Sequence, residues 1–193
     1  MSAGPSATEN GLLIELWDDA ARKSLTIAAV TDMSQKVPLA GPMTSLVEHN
    51  VTHSALPGEK FRQAFQFWLD AKGSQALPPQ SAIVPTQLPR GTVANFSVVS
   101  VEDGPKRFRY RLLGTAIIQA WGEDLTGRFC EDVSGGAEMA ARVQLCVDTR
   151  RPYYSQGPLK YAVNYFKFFA VLVMPFAGPN GEVSRLLIYN EFT

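Results

Sequence analysis

The chain has 193 residues and a mass of 21.1 kDa, enough for one substantial hydrophobic core with a packed extension. Its 18 basic and 18 acidic side chains cancel, so no global field draws it to polyanions and nucleic acid is not expected as a general partner. No stretch approaches the roughly 18 to 20 apolar residues that cross a bilayer. The N-terminus lacks a basic segment leading into an apolar one, so a cytoplasmic protein without membrane insertion is expected.

Residues 1–10 read as a mobile tail of small residues. Leu12–Trp17 and Leu25–Val30 are short apolar runs that fit either a hairpin or a helix with a strand. Thr31–Pro57, punctuated by Pro38, Gly41, Pro42 and Pro57, reads as irregular. Residues 1–58 are therefore expected to form a partly flexible N-terminal extension, and 59–193 the main domain. That domain opens with a helix from Glu59, in which Phe61, Phe65, Trp68 and Leu69 share one face, Lys60, Arg62, Asp70 and Lys72 face water, and Gly73 supplies the stop. Its apolar face either packs on the domain or offers Phe61, Phe65 and Trp68 as an interface.

The next stretch, ALPPQSAIVPTQLPRG, carries four prolines and should cross a surface rather than form a central strand, with Ile83, Val84 and Leu88 tucked inward. Thr92–Val101 and Arg107–Leu113 are expected to pair through the turn EDGPKR, where Gly104 gives a permissive position. Along the second of these strands Phe108, Tyr110 and Leu112 line one face and Arg107, Arg109 and Arg111 the other, because side chains alternate. Thr115–Trp121 and Gly135–Thr149 read as helices, the longer one with Met139, Val143, Cys146 and Val147 on an apolar face. Asp124 or Thr126 caps a turn in the polar connection between them. Strands follow at approximately Arg151–Gly157, Tyr165–Pro175 and Glu182–Glu191, with GPNG as the last turn. Two strands, a helical crossing and three strands give an α+β domain rather than a repeated βαβ one.

Four stretches, FWLD at Phe67–Asp70, LPPQSAIVP at Leu77–Pro85, FRYRLLGT at Phe108–Thr115 and GEDLTGR at Gly122–Arg128, together resemble the bacterial PAS_5 family of single-domain PAS proteins, within the PAS superfamily. The resemblance spans about Lys60 to Phe192, and Met1–Thr52 do not match it. It implies a PAS-like five-stranded antiparallel sheet with helices covering one face around a small cavity, used in the wider superfamily for sensing and protein contacts.

Candidate cavity residues are Phe96, Phe108, Tyr110, Ile117, Trp121, Phe166, Phe168, Val171 and Val173, although opposite strand faces cannot all point inward. A ligand would lie between the sheet and Thr115–Thr149. Arg128, Arg150 and Arg151 are candidate rim residues for a carboxylate or phosphate, or simply exposed ion-pair partners. GRFC at Gly127–Cys130 resembles the GRNC of flavin-binding light-sensing PAS domains, but Glu131 and Asp132 follow it in place of that motif's continuation, so Cys130 is expected to be an unreactive thiol. Cys130 and Cys146 lack the partners of a zinc site. The histidines, His49 and His53, both precede the PAS-like region, leaving a haem without an axial ligand.

Ser134 and Ser155 lie in no nucleophile elbow. Glu123, Asp124, Glu131 and Asp132 read as a solvated rim. No catalytic residue, metal site or specific cofactor is assigned, and room is left for an unidentified small-molecule ligand. The expected function is a non-enzymatic sensory or regulatory PAS module that binds a small molecule or signalling-protein partner and transmits a conformational change. The alternative is a ligand-free homodimerisation or protein-interaction adaptor.

Overall fold

Five stretches rich in β-branched and aromatic residues form strands, and a short sixth joins them at one edge. The strands of this computed structural model are β1 (Leu46–Glu48), β2 (Phe96–Glu102), β3 (Arg107–Leu113), β4 (Tyr153–Pro158), β5 (Phe168–Ala177) and β6 (Val183–Phe192). They make one sheet in the order β1-β4-β5-β6-β2-β3, with every neighbouring pair antiparallel. The helices are α1 (Gly58–Lys72), α2 (Thr115–Trp121) and α3 (Gly136–Thr149). Two strands, a crossing with two helices and three strands give the five-stranded arrangement that the PAS resemblance implies.

The structure describes residues 46–48, 51–102, 107–133, 136–158 and 168–193, all within the second of two units that divide the chain after Ala40. The N-terminal tail, the apolar runs 12–17 and 25–30, Gly104, His49, Ser134 and Phe166 lie outside the described residues. The last part of the expected extension takes part in the sheet: β1 pairs with β4, Val47 opposite Ser155.

Cross-strand pairing assigns each side chain to a face, since partners in an antiparallel pair point the same way. Tyr154, Leu172, Tyr189 and Phe96 form one row across β4, β5, β6 and β2. Helix α1 covers this outer face, with the Phe61 ring edge-on to Tyr154 at 5.4 Å and to Tyr189 at 4.9 Å. Phe61, Ala64, Phe65 and Trp68, at helical spacing, are all buried. Trp68 Nε1 donates to the Pro175 carbonyl at 2.9 Å. Gly73 ends α1 as expected, its N–H donating to Leu69 O at 3.0 Å.

The next residue on each strand faces the opposite, inner side: Tyr153, Val173, Ile188, Ser97 and Leu113 form one row. Helix α3 covers this face. Arg142 lies over the Phe169 ring at 5.2 Å, and Val143, Cys146 and Val147 are buried. The crossing helices cover one face as expected, and the leading helix covers the other. Burial on both sides explains why Val171–Phe176 and Leu186–Asn190 are continuously buried rather than alternating.

Strand β3 departs from simple alternation. Val98 pairs with Leu112 and Val99 with Tyr110, so Arg111 is an extra, bulged residue. Phe108 and Tyr110 are buried as expected, but beyond the bulge Leu113 takes the inner position and Leu112 is only half-buried. The proline-rich stretch runs as short 3₁₀ turns, with Leu77 and Leu88 buried, and docks on β5 where Ala177 N donates to Pro78 O at 2.8 Å.

Candidate functional site

The inner face unites part of the expected cavity set. Tyr110 pairs with Val99 and Phe108 with Val101, while Val171 and Val173 lie opposite Ser155 and Tyr153, all on the side that α3 covers. Ile117 is buried on α2, and Trp121 is half-buried at its end. Phe96 lies on the outer face, 5.2 Å from the Tyr189 ring. Phe168 shares the parity of Leu172 and is 49% exposed, so neither lines the space beneath α3.

Two polar clusters on the inner face carry no strong sequence signal. Asn190 is buried, and its Nδ2 donates to Ile188 O at 3.1 Å and Asn95 O at 3.2 Å, with Ser97 Oγ at 3.4 Å. Asn95 Nδ2 returns a bond to Asn190 O at 2.8 Å. This network is satisfied and holds the start of β2 against β6. Two strands away on the same row, Ser155 Oγ is fully buried and has no hydrogen-bond partner. An asparagine or serine inside a strand reads as a solvent-facing position in sequence, which is why neither is expected there to be buried.

The second cluster lies where β3 meets the loop 127–132. Gly127 N donates to Tyr110 O at 2.8 Å and Tyr110 N to Arg128 O at 3.0 Å, so the loop runs along the strand's outer edge. Gly127 adopts φ +87, a conformation that favours glycine. The loop brings Cys130 and Glu131 to Tyr110. The Tyr110 hydroxyl lies beside the Cys130 thiol in a geometry short of a hydrogen bond, and Glu131 Oε2 is likewise buried without a partner. Glu131 Oε1 accepts from Phe108 N at 3.2 Å. Glu131 therefore differs from the solvated rim expected of it, because the turn Cys130–Asp132 directs it at the first residues of β3.

Burial raises the Tyr110 phenol, with Cys130 and Glu131 adding to the shift. Burial likewise pushes the Cys130 thiol up to about 12 and raises Cys146. At pH 8, about one Cys130 in ten thousand is then thiolate. Iodoacetamide should leave both thiols unmodified in the native protein and label them on unfolding. Rapid native labelling of Cys130, followed by intact mass, would contradict this placement.

The remaining acidic residues have structural partners. Asp124 Oδ1 accepts from Thr126 N at 2.9 Å and Thr126 Oγ1 at 2.6 Å, closing the polar turn, and these bonds lower its pKa. Glu123 pairs with Arg128 at 3.2 Å and Asp132 with Arg107 at 2.7 Å. Glu102 takes Arg111 at 2.7 Å and Arg109 at 3.7 Å, while the Phe129 ring lies 3.6 Å from Arg107 and 4.0 Å from Arg109. The arginine face of β3 thus finds carboxylates as expected, plus an aromatic ring the sequence did not suggest.

The three rim arginines are not brought to one mouth. Arg128 is tied to the loop beside β3. Arg150 closes α3 at φ 56 and donates to Gly181 O at 2.8 Å in the β5–β6 turn, and Arg151 is exposed. His53 is exposed in a 3₁₀ turn. Among the described residues, no group of three or more His, Cys, Asp or Glu could hold a metal ion, and no helix is long and apolar enough to cross a membrane. A surface depression of about 520 Å³ is bordered by Thr115, Ile118 and Gln119 on α2 and by Gly122, the residue that follows it.

No family model and no curated protein matches the chain. Among solved structures, one described as an RNA-binding light-oxygen-voltage receptor matches with a TM-score of 0.40 and 15% identity, covering 60% of this chain and 36% of that one.

Proposed function

We propose that this chain is a PAS-type sensory or regulatory module, of the PAS_5 kind, that binds a small molecule on the inner face of its sheet beneath α3. The observation that carries the reading is the pair of buried hydroxyls on that face, Ser155 Oγ and Tyr110 Oη, neither with a hydrogen-bond partner. A buried polar group without a partner costs about 1–3 kcal/mol, and native interiors rarely retain one without a reason. A bound molecule that supplies the missing partner of either hydroxyl offsets that cost at its own end of the sheet, and it would couple its presence to how the elements packed there sit on the sheet.

The adaptor alternative gains less support. Phe61, Phe65 and Trp68, its expected contact residues, are occupied by the chain's own sheet. The test is native mass spectrometry of the protein purified from its own cells, with the denatured mass as reference. A reproducible excess mass released on denaturation is expected. An empty protein whose mass changes only by whole subunits would favour the adaptor.

A further inference from the structure

We propose that the outer face of the sheet, at its β2–β3 end, is a docking surface for an acidic peptide segment of a partner protein, gripped by Arg111 and Arg185. This is the face opposite the ligand site above, so the two stand or fall separately. Pairing places the residues: Ser100 lies opposite Arg109 on β3 and Arg185 on β6, and Glu102 lies opposite Arg107. They share the side of Phe96, because side chains alternate along β2. The bulged Arg111 turns the same way, its Nε donating to Ser100 Oγ at 2.9 Å and its Nη2 to Glu102 Oε1 at 2.7 Å. Helix α1 lies over Tyr154, Tyr189 and Pro175 and leaves this end open: the side chains of Arg107, Arg109 and Arg111 are 38%, 33% and 47% exposed.

The surface holds more positive charge than its own acids neutralise. Four guanidiniums, those of Arg107, Arg109, Arg111 and Arg185, share two carboxylates among the described residues. Asp132 serves Arg107 at 2.7 Å, and Glu102 is divided between Arg111 at 2.7 Å and Arg109 at 3.7 Å. Arg185 reaches only the neighbouring Ser184 carbonyl, at 3.0 Å. Arg107 and Arg109 are also fixed against the Phe129 ring, so much of the array is ordered before a partner arrives and less side-chain freedom is lost on docking. Arg111 Nη1 and the remaining donors of Arg185 bond nothing among the described residues, which leaves directed donors for incoming carboxylates. Acids interrupt the surface at Glu102 and Asp132. A continuous phosphate backbone would meet them, whereas spaced carboxylates pass between, and the Phe129 ring is taken up by arginines rather than open to a base.

The probe is fluorescein-labelled hexaglutamate, followed by anisotropy on the full chain in about 50 mM salt, with labelled hexaglutamine and hexauridylate as comparators. Wild-type protein should bind hexaglutamate saturably and at least about tenfold more tightly than either comparator. R111Q and R185Q should each weaken it by about threefold or more, and together by about tenfold. K60Q, which removes the same charge from an exposed position on α1, should stay within about twofold of wild type. E102Q should tighten hexaglutamate by about threefold, because it removes the carboxylate that competes for Arg111. A merely structural role for Glu102 gives no such gain.

An equal loss in K60Q would reduce the binding to net charge and overturn the site. Tighter hexauridylate, lost in the same arginine variants, would overturn the peptide assignment in favour of nucleic acid. A concentration-dependent dimer that the R111Q/R185Q double variant dissociates would give the face to a second copy instead. Absence of saturable hexaglutamate binding would overturn the proposal outright.

Discussion

Trp68→Ala lowers the stability of the domain by about 3–5 kcal/mol, the largest loss expected from any truncation on α1. The indole is 5% exposed and stacks on Phe65 with ring centroids 6.0 Å apart and planes 5° from parallel. Its removal deletes core area and leaves the Pro175 carbonyl without its donor. Trp68→Phe keeps most of the area but loses the bond, and should cost less, about 1–2 kcal/mol. Urea midpoints measure both, and sedimentation of the same samples separates a core role from an interface role. A variant that unfolds near the wild-type midpoint but loses a dimer would mean that Trp68 faces a partner.

Gly136→Ala should cost at least about 3 kcal/mol, beyond ordinary overpacking. The first residue of α3 lies against the chain at Cys130, and a methyl group there would overlap the Cys130 carbonyl oxygen and come within 3.1 Å of Val133 Cγ2. The obstacle is backbone, so no side-chain rotation relieves it. The loop 130–133 or the start of α3 must move instead, displacing Cys130 from Tyr110. Ala137→Ser, one residue along and exposed, should stay within about 0.5 kcal/mol of wild type. A Gly136→Ala protein with the wild-type midpoint and unreactive cysteines would show that α3 and the turn are not packed this closely.

The elements that can be read from sequence are those whose burial is one-sided. The 3.6-residue spacing of Phe61, Phe65 and Trp68 reads correctly as a helix face, and the alternation of Phe108 and Tyr110 with arginines reads correctly as a strand edge. Alternation fails where a bulge intervenes, as at Arg111, and where both faces are covered, as along FFAVLVMPFA. Leu46–Glu48 is three residues of unremarkable composition, and only its pairing with β4 makes it a strand.

The candidate site is partly legible for the same reason. Phe108, Tyr110, Val171 and Val173 do share a face. Which face Phe96 occupies depends on its pairing with Tyr189, a long-range register that a single strand's pattern does not contain. Ser155 stands out only when the lack of a partner is known, and that is a property of the packed interior rather than of the segment.

The most direct measurement of the central claim, an internal ligand site on the inner face of the sheet, is a methyl NMR titration with benzoate, benzamide and benzyl alcohol. Val171, Val173 and Ile188 report on the inner face, and Leu172 and Leu187 on the outer. Saturable shifts at the inner methyls, with the outer pair unmoved, are expected for at least one probe. Shifts centred on Leu172 and Leu187, or no saturable shift at any of the five, would contradict it.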